Sequence, residues 1–168
     1  YRRLWHKYGP VCKEILRCYR EGTLYAIRMD DNGLLWQGEE GRALTWMDAI
    51  VDGRPVTQRK GYAVEINALW YNAISFAIEM ASYAADENFV NEWIDIATDL
   101  PIHFQLNFWS DEHGYLADCV RPHYRDFSVR PNMLFAVSLP YSPITERMRK
   151  AVVDKVRDEL LTPRGIRT

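Results

Sequence analysis

The sequence predicts a mainly α-helical fold with an inner and an outer layer of helices. One predicted helix, over residues 63–84, is apolar on nearly every side, whereas the other long predicted helices have one apolar stripe and one polar face. A helix that is apolar all round is buried, and amphipathic helices cover it. The connections between the predicted helices are alternately short and long. Together these features are typical of an α/α toroid, which is built from helical hairpins.

The first part of the chain is predicted to form a helix followed by a small hairpin. Residues 1–21 have a helical apolar stripe, and Gly22 is the kind of residue that ends a helix. Residues 24–29 then alternate between apolar and polar side chains. Because Asp-Asp-Asn-Gly at 30–33 is a turn sequence, we expect a β-hairpin near residues 24–37.

A long predicted loop, residues 38–62, surrounds a single apolar island at residues 44–49. Long loops in compact domains are usually functional. This loop delivers one acidic side chain, Asp48, to the start of the apolar helix, where the polar residues Glu65 and Asn67 lie. The sequence therefore predicts the lip of an active site here.

The second half of the chain is predicted to contain further helices. Asp86 is a good N-cap for an amphipathic helix. Pro101 is expected to kink or interrupt that helix before residues 104–109. The remaining predicted elements are an extended segment at 115–120, an irregular stretch at 121–131, a short buried helix at 132–139 and an amphipathic helix at 143–161.

Composition excludes several classes of partner and cofactor. The chain of 168 residues has a formal net charge of −2 and no basic stripe, so we expect no nucleic-acid partner. No apolar run is long enough to span a bilayer, so no membrane partner is expected. The three cysteines and four histidines lack the spacing of a metal site, and we expect no metal or other cofactor. Free thiols indicate a reducing compartment, and we expect the cytoplasm.

The string Thr45-Trp46-Met47-Asp48 has the chemistry of a sugar-cleaving cleft. Tryptophan faces stack on pyranose rings, and carboxylates and amides bind sugar hydroxyls. A carboxylic acid removed from water keeps its proton near neutral pH. We therefore expect Trp46 and Met47 to shield Asp48 from water.

Several stretches of the chain resemble one protein family, and they occur in the family's order from about Gly22 to the last residue. These stretches are residues 44–49, 64–73, 130–132 leading to 136–140, and 160–163 with Gly165, Arg167 and Thr168. The sequence resembles the C-terminal glucosidase domain of bacterial and archaeal glycogen debranching enzymes. The resemblance implies a six-hairpin α/α toroid with its active site at the loop-rich end, of which this chain holds about half as a single partial domain.

The resemblance also implies an activity and a role for Asp48. The activity is an amylo-α-1,6-glucosidase reaction, in which glucose stubs are hydrolysed from glycogen or another branched α-glucan with inversion and without a cofactor. Asp48 corresponds to the general acid, Trp46 is expected to bind the substrate, and the catalytic base is expected beyond Thr168. Inverting glycosidases place their two carboxyl groups about 6.5–9.5 Å apart.

Other polar residues near the loop have more than one interpretation. Glu65 is a second catalytic carboxylate, a partner of Arg54, Arg59 or Arg130, or a ligand for sugar hydroxyls, and the last is favoured. Asn67 is a ligand for the same sugar or a strut for the loop. Arg130, held extended by the proline after it, donates to sugar hydroxyls or to Glu65. The next asparagine, at position 132, is expected to cap the short helix.

Two other functions stay open on sequence grounds. One is another toroid glycosidase that cleaves trehalose or oligosaccharide ends, and the other is a carbohydrate-binding helical module without turnover. The chain begins without Met in mid-helix sequence, so we expect it to be a piece of a longer protein. Because half a ring leaves apolar helices without neighbours, we expect either the remainder of the toroid or self-association to cover them.

Overall fold

The computed structural model describes residues 1–168, and about half of them are helical. The helices are α1 (Arg2–Glu21), α2 (Val64–Tyr83), α3 (Glu87–Phe108), α4 (Phe135–Ser138) and α5 (Glu146–Leu160), with 3-10 turns at Leu24–Ala26 and Pro131–Leu134. Three residues join α2 to α3, so these two helices form an antiparallel hairpin. The prediction of a mainly helical chain is confirmed, and so is a small hairpin near residues 24–37, where β1 and β2 pair.

Short antiparallel strands lie in the connections between the helices and after the last one. They are β1 (Arg28–Met29), β2 (Leu35–Trp36), β3 (Ile50–Val51), β4 (Arg54–Pro55), β5 (Tyr62–Ala63), β6 (Trp109–Ser110), β7 (Tyr115–Leu116), β8 (Cys119–Arg121), β9 (Tyr124–Asp126), β10 (Leu161–Thr162) and β11 (Gly165–Ile166). Four two-stranded hairpins pair β1 with β2, β3 with β4, β6 with β7, and β10 with β11, while β5, β8 and β9 form a three-stranded sheet. This sheet leads directly into α2.

Asp86 ties the N-terminal helix to the α2–α3 hairpin. Its carboxylate accepts a hydrogen bond from the backbone N–H of Phe89 at 3.4 Å, which confirms the predicted N-cap. The same carboxylate accepts from the indole N–H of Trp5 at 2.9 Å and pairs with Lys13 at 2.5 Å. These hydrogen bonds, from Lys13 first and then Trp5, lower the pKa of Asp86. One side chain therefore fixes both the start of α3 and the position of α1.

The expected interruption at Pro101 is wrong, because α3 runs through it without a break. Leu100, Phe104 and Phe108 are fully buried on both sides of the proline, and they continue one apolar stripe. A proline inside a helix removes one backbone hydrogen bond and costs about 3 kcal/mol. Burial of three large side chains offsets that cost, since each contributes about 1.5–3 kcal/mol.

The sequence predicts that helix α2 is buried on every side, and this prediction is wrong for this chain. Ile74 and Ala68 are fully buried, but Leu69 is 40% exposed and Phe76 is 49% exposed. An open apolar groove of about 340 Å³ runs between α1 and α2. Within this chain α2 packs against α1, α3 and α4, and these helices leave Leu69 and Phe76 partly uncovered.

Several short strands were not predicted from the sequence. The predicted loop at 38–62 contains the β3–β4 hairpin, the stretch at 121–131 expected to be irregular contains most of the β8–β9 hairpin, and the chain ends in the β10–β11 hairpin. Part of the strand expected at 24–29 is instead a 3-10 turn with Tyr25 at a φ of 61°. Strands of two or three residues are too short to show an alternating pattern.

Gly61 allows the sheet to form beside the loop. Its φ is +128°, and a Cβ at this position would lie 2.3 Å from the carbonyl oxygen of Val120 on the neighbouring strand. Only glycine fits such a close approach. The backbone N–H of Gly61 also donates to Gln37 at 2.8 Å, which closes the loop at its C-terminal end.

Candidate active site

The candidate site is built around a bidentate ion pair at the start of α2. Arg59 donates from Nη1 to Oε1 of Glu65 at 2.5 Å and from Nη2 to Oε2 at 2.6 Å. Both side chains are only 2% exposed. Burial acts to lower the pKa of Arg59, but its hydrogen bonds to Glu65 and the charges of Glu65 and Asp118 raise that pKa above its ordinary value. The guanidinium is therefore a fixed positive charge under the loop.

Asp118 is the centre of the buried charges. Its side chain has no exposed surface. It accepts hydrogen bonds from Arg59 Nε at 2.9 Å, from Arg130 Nη1 at 2.7 Å and from Asn132 Nδ2 at 2.6 Å. Its backbone carbonyl also accepts from the N–H of Val64, the first residue of α2, at 3.0 Å. One residue thus connects two arginines and an amide through its carboxylate, and the start of the helix through its backbone carbonyl.

Arg130 links Asp118 to the edge strand of the sheet. Its Nη1 lies 2.7 Å from a carboxylate oxygen of Asp118 and 2.7 Å from one of Asp126. Burial acts to raise the pKa of Asp126, but hydrogen bonds from Arg130 and Ser128 outweigh it and lower the pKa below its ordinary value. Of the two interpretations of Arg130, the contact with Glu65 is not formed, because Arg59 occupies both oxygens of that carboxylate. We call Arg59, Glu65, Asp118, Asp126 and Arg130 the buried ionic cluster.

Residues 44–49, which we call the acid loop, are attached to this cluster at three consecutive positions. Thr45 contacts the cluster directly, and Trp46 and Met47 contact it through Asn132, which donates to Asp118. Thr45 Oγ1 accepts a hydrogen bond from Arg59 Nη1 at 3.1 Å. The Trp46 indole N–H donates to Asn132 Oδ1 at 2.8 Å, and Asn132 Nδ2 lies 3.5 Å from the sulfur of Met47. Asp48 comes directly after these three residues. Its position is therefore determined by the cluster, although it touches none of the charged groups.

Asp48 itself is exposed, so the expectation that Trp46 and Met47 shield it from water is wrong for this chain. Trp46 turns its N–H toward Asn132 and remains 50% exposed. The indole therefore leaves the carboxylate of Asp48 uncovered. Any shielding of Asp48 has to come from a bound sugar or from protein outside this chain.

Glu65 and Asn67 are buried, and their polar atoms are used inside the protein. Glu65 adopts the interpretation in which it pairs with Arg59, and its favoured role as a sugar ligand is not supported by this arrangement. Asn67 accepts from the N–H of Leu35 at 2.7 Å and donates to the carbonyls of Leu35 at 3.1 Å and Ala63 at 3.0 Å. It is a strut, but it fixes the β1–β2 hairpin to α2, whereas the sequence interpretation made it a strut for the loop.

Three residues of the site, Arg59, Asp118 and Asn132, make more buried hydrogen bonds than their sequence context indicates. Arg59 was one of three possible partners for Glu65, and Asn132 was expected only as a helix cap, although the cap position belongs to Arg130. Asp118 was not predicted at all. Its signal is a charged residue between two buried apolar neighbours, Ala117 and Cys119.

Burial raises the pKa of the Cys119 thiol to about 12, so that thiol is not a nucleophile here.

Comparison with known families decides the identity of the domain. The sequence profile of amylo-alpha-1,6-glucosidase matches residues 2–168, which is nearly the whole chain. The chain belongs to the amylo-alpha-1,6-glucosidase family. The resemblance found in the sequence is therefore confirmed, and this glucosidase-family domain is related to glycoside hydrolases. No curated protein sequence matches it.

A solved glycosidase shares the fold of this glucosidase-family domain. The crystal structure of a GH78 family rhamnosidase of Bacillus sp. GL1 aligns with a TM-score of 0.63 at 19% sequence identity. The alignment covers 95% of this chain and 15% of the rhamnosidase chain. At that identity the likeness shows the fold alone.

Two further observations concern the surroundings of the site. No helix of the chain is both long and apolar enough to cross a membrane. No group of three or more His, Cys, Asp or Glu side chains is arranged to hold a metal ion.

Proposed function

We propose that this domain provides the general-acid side of a glucosidase active site, which hydrolyses α-1,6-linked glucose stubs on glycogen or another branched α-glucan. The observation that carries the proposal is the acid loop. Three consecutive residues anchor it to Arg59 of the buried ionic cluster and to Asn132, and the next residue, Asp48, is exposed. A carboxyl on an anchored loop is suited to reach a bound sugar with a fixed geometry.

In the proposed reaction Asp48 donates its proton to the glycosidic oxygen as the bond from that oxygen to C1 breaks. A water molecule attacks C1 from the opposite face, and a second carboxylate takes the proton of that water. Because the new bond forms on the opposite face, the anomeric configuration inverts. The products are free glucose and a shortened glucan, and the reaction needs no cofactor.

The second carboxylate is not proposed to be Glu65. Both of its oxygens accept hydrogen bonds from Arg59. A protein is strongly destabilised when one partner of a buried ion pair loses its charge. We propose that the base comes from protein beyond Thr168, in the remainder of the toroid. That remainder would also cover the groove between α1 and α2. This keeps Asp48 as the one catalytic group of the present chain.

Substrate binding is proposed to complete the environment of Asp48. A glucose ring stacked on the half-exposed indole of Trp46 would remove water from one side of the carboxyl, which favours its protonated form. Arg130 is 19% exposed and uses Nη1 for its two carboxylate partners, so its other N–H groups are proposed to donate to sugar hydroxyls. Glu65 lies behind this surface and holds Arg59, which in turn donates to Thr45 of the acid loop.

The test is hydrolysis of a branched limit dextrin by the full-length protein, followed by NMR. We expect glucose to be released from the α-1,6 stubs and to appear first as the β-anomer, because inversion converts an α-linkage to a β-product. Trehalose and linear oligosaccharides serve as competing substrates. Cleavage of trehalose alone would favour another toroid glycosidase, and binding of the dextrin without turnover would favour a carbohydrate-binding module.

A further inference from the structure

We infer that Asn132 is a positioning residue for the general acid, because its buried amide locks the acid loop to Asp118 and so sets where the Asp48 carboxyl meets the glycosidic oxygen. This inference rests on the proposed function, in which Asp48 is that acid. It assigns a role to a residue whose sequence context suggested only a helix cap.

The amide of Asn132 has both of its polar atoms engaged. The residue is 1% exposed. Its Oδ1 accepts from the Trp46 indole N–H at 2.8 Å, while its Nδ2 donates to Asp118 at 2.6 Å and contacts the Met47 sulfur at 3.5 Å. An indole N–H can only donate, and an ionised carboxylate can only accept. The chemistry of the two neighbours therefore dictates which end of the amide faces each of them.

Asp118 makes this amide a rigid reference point. Arg59 and Arg130 both donate to its carboxylate. Its backbone N–H donates to Asp126 of β9 at 2.7 Å, and its carbonyl accepts from Val64 of α2 at 3.0 Å. The orientation of Asn132 is thus tied to a helix and a sheet. Sites supported in this way are held more accurately than sites on free loops.

The anchor lies next to the reacting group in the chain. Trp46 and Met47 are the residues that Asn132 holds, and Asp48 follows them directly. A second anchor, from Arg59 to Thr45, lies on the far side of Trp46 from Asp48. Loss of the Asn132 contact therefore frees the segment that bears the acid, while the start of the loop stays attached. A displacement of about 1 Å in such a group can lower the rate on the order of 10²-fold.

A misplaced acid has a kinetic signature that general loss of structure lacks. Hydrolysis of a glucan needs a proton on the departing oxygen, whereas glucosyl fluoride has a much better leaving group and depends little on the acid. We expect Asn132→Ala in the full-length protein to lower kcat on limit dextrin by about 10- to 100-fold. The rate on α-glucosyl fluoride should fall by no more than about threefold, and KM for the dextrin should change little.

Trp46→Phe gives a second route to the same test. The substitution removes the N–H that donates to Asn132 but keeps an aromatic face. Because the side chain is half exposed, we expect the variant to fold. We expect the same selective loss on limit dextrin. Because both variants remove the same contact, from Trp46 to Asn132, the double variant should be no worse than Asn132→Ala. If Asn132→Ala does not fold, the result with Trp46→Phe decides.

Controls separate this inference from the proposed function. Asn67→Ala removes an equally buried amide that supports the β1–β2 hairpin. Any loss of rate should therefore be equal on limit dextrin and on α-glucosyl fluoride. Asp48→Asn should show the selective loss at its largest, and if it does not, the proposed function fails. If Asp48→Asn is selective while Trp46→Phe loses activity equally on both substrates, or loses none, the positioning role of Asn132 is overturned.

Discussion

Arg59 and Glu65 share a bidentate ion pair that is buried from solvent on both sides, with each side chain 2% exposed. The pair connects the end of the long loop to the first turn of α2. Arg59 also donates to Thr45 of the acid loop at 3.1 Å. The same guanidinium thus stabilises the fold and locates the candidate site, which makes its removal informative about both.

Arg59→Met should destabilise the domain strongly. The substitution leaves the carboxylates of Glu65 and Asp118 buried without their main partner, and breaking a buried ion pair on one side costs about 3–5 kcal/mol. Arg59→Lys should also be destabilising, because a single ammonium cannot donate to both carboxylates as the guanidinium does. The measurement is the free energy of unfolding in denaturant.

The matched control for Arg59 is Arg42→Met, which breaks a surface pair. Arg42 and Glu39 are 53% and 50% exposed and three residues apart. Surface pairs of this kind contribute about 0–1 kcal/mol, so the change should be small. Equal unfolding free energies for the Arg59 and Arg42 variants would contradict a structural role for the buried ionic cluster.

Trp46→Ala should weaken glucose-like inhibitors of the full-length protein. Loss of stacking and of buried apolar surface corresponds to about 1–3 kcal/mol of binding free energy. The measurement is the inhibition constant, compared with Trp109→Ala as a control at a tryptophan outside the acid loop. An unchanged inhibition constant in a folded Trp46→Ala variant would return this residue to a purely structural role.

Acid should weaken the attachment of α1 through Asp86. Its folded-state pKa is depressed, so the unfolded chain binds more protons and stability rises with pH in this range. The contribution of Asp86 is present above the ordinary Asp pKa of about 3.9 and is lost as pH falls through the lower folded value. Urea titrations between about pH 6 and pH 2 measure this. Asp86→Asn should flatten that part of the profile, and an unaltered profile would contradict the assignment.

The 168-residue chain alone should associate with itself and release no glucose. Leu4, Ile15 and Phe76 around the apolar groove are each about half exposed, at 49%, 50% and 49%. Exposed apolar patches of this kind mark interaction sites or cause aggregation. Sedimentation should show oligomers that Phe76→Glu disperses. A monomeric chain that releases glucose from limit dextrin would mean that another carboxylate here is the base.

The long helices were predictable because their apolar period repeats over many residues. The bounds of α1 and α2 lie within a residue of the sequence prediction. The continuous path through Pro101 could not be predicted, since the packing of Phe104 and Phe108 that offsets the proline is a tertiary effect. The same holds for the exposed flank of α2, because an apolar side chain does not show whether its neighbour belongs to the same chain.

The candidate site was predictable in composition but not in geometry. Asp48 and Trp46 were identified from one short string, and their catalytic and binding roles stay predictions. The contacts behind them join residues far apart in the chain, such as Arg59 with Asp118 and Trp46 with Asn132, which are separated by 59 and 86 positions. No local pattern encodes such pairs, so the sequence did not show that a buried ionic cluster supports the acid loop.

The most direct test of the account is Asp48→Asn in the full-length protein, with the rate of glucose release from limit dextrin as the measurement. Asparagine keeps the size of the side chain but cannot donate the catalytic proton. We expect a loss on the order of 10²–10⁴ in kcat, the usual contribution of a general acid, with binding of glucose-like inhibitors nearly unchanged. Turnover close to that of the unmodified protein would contradict it.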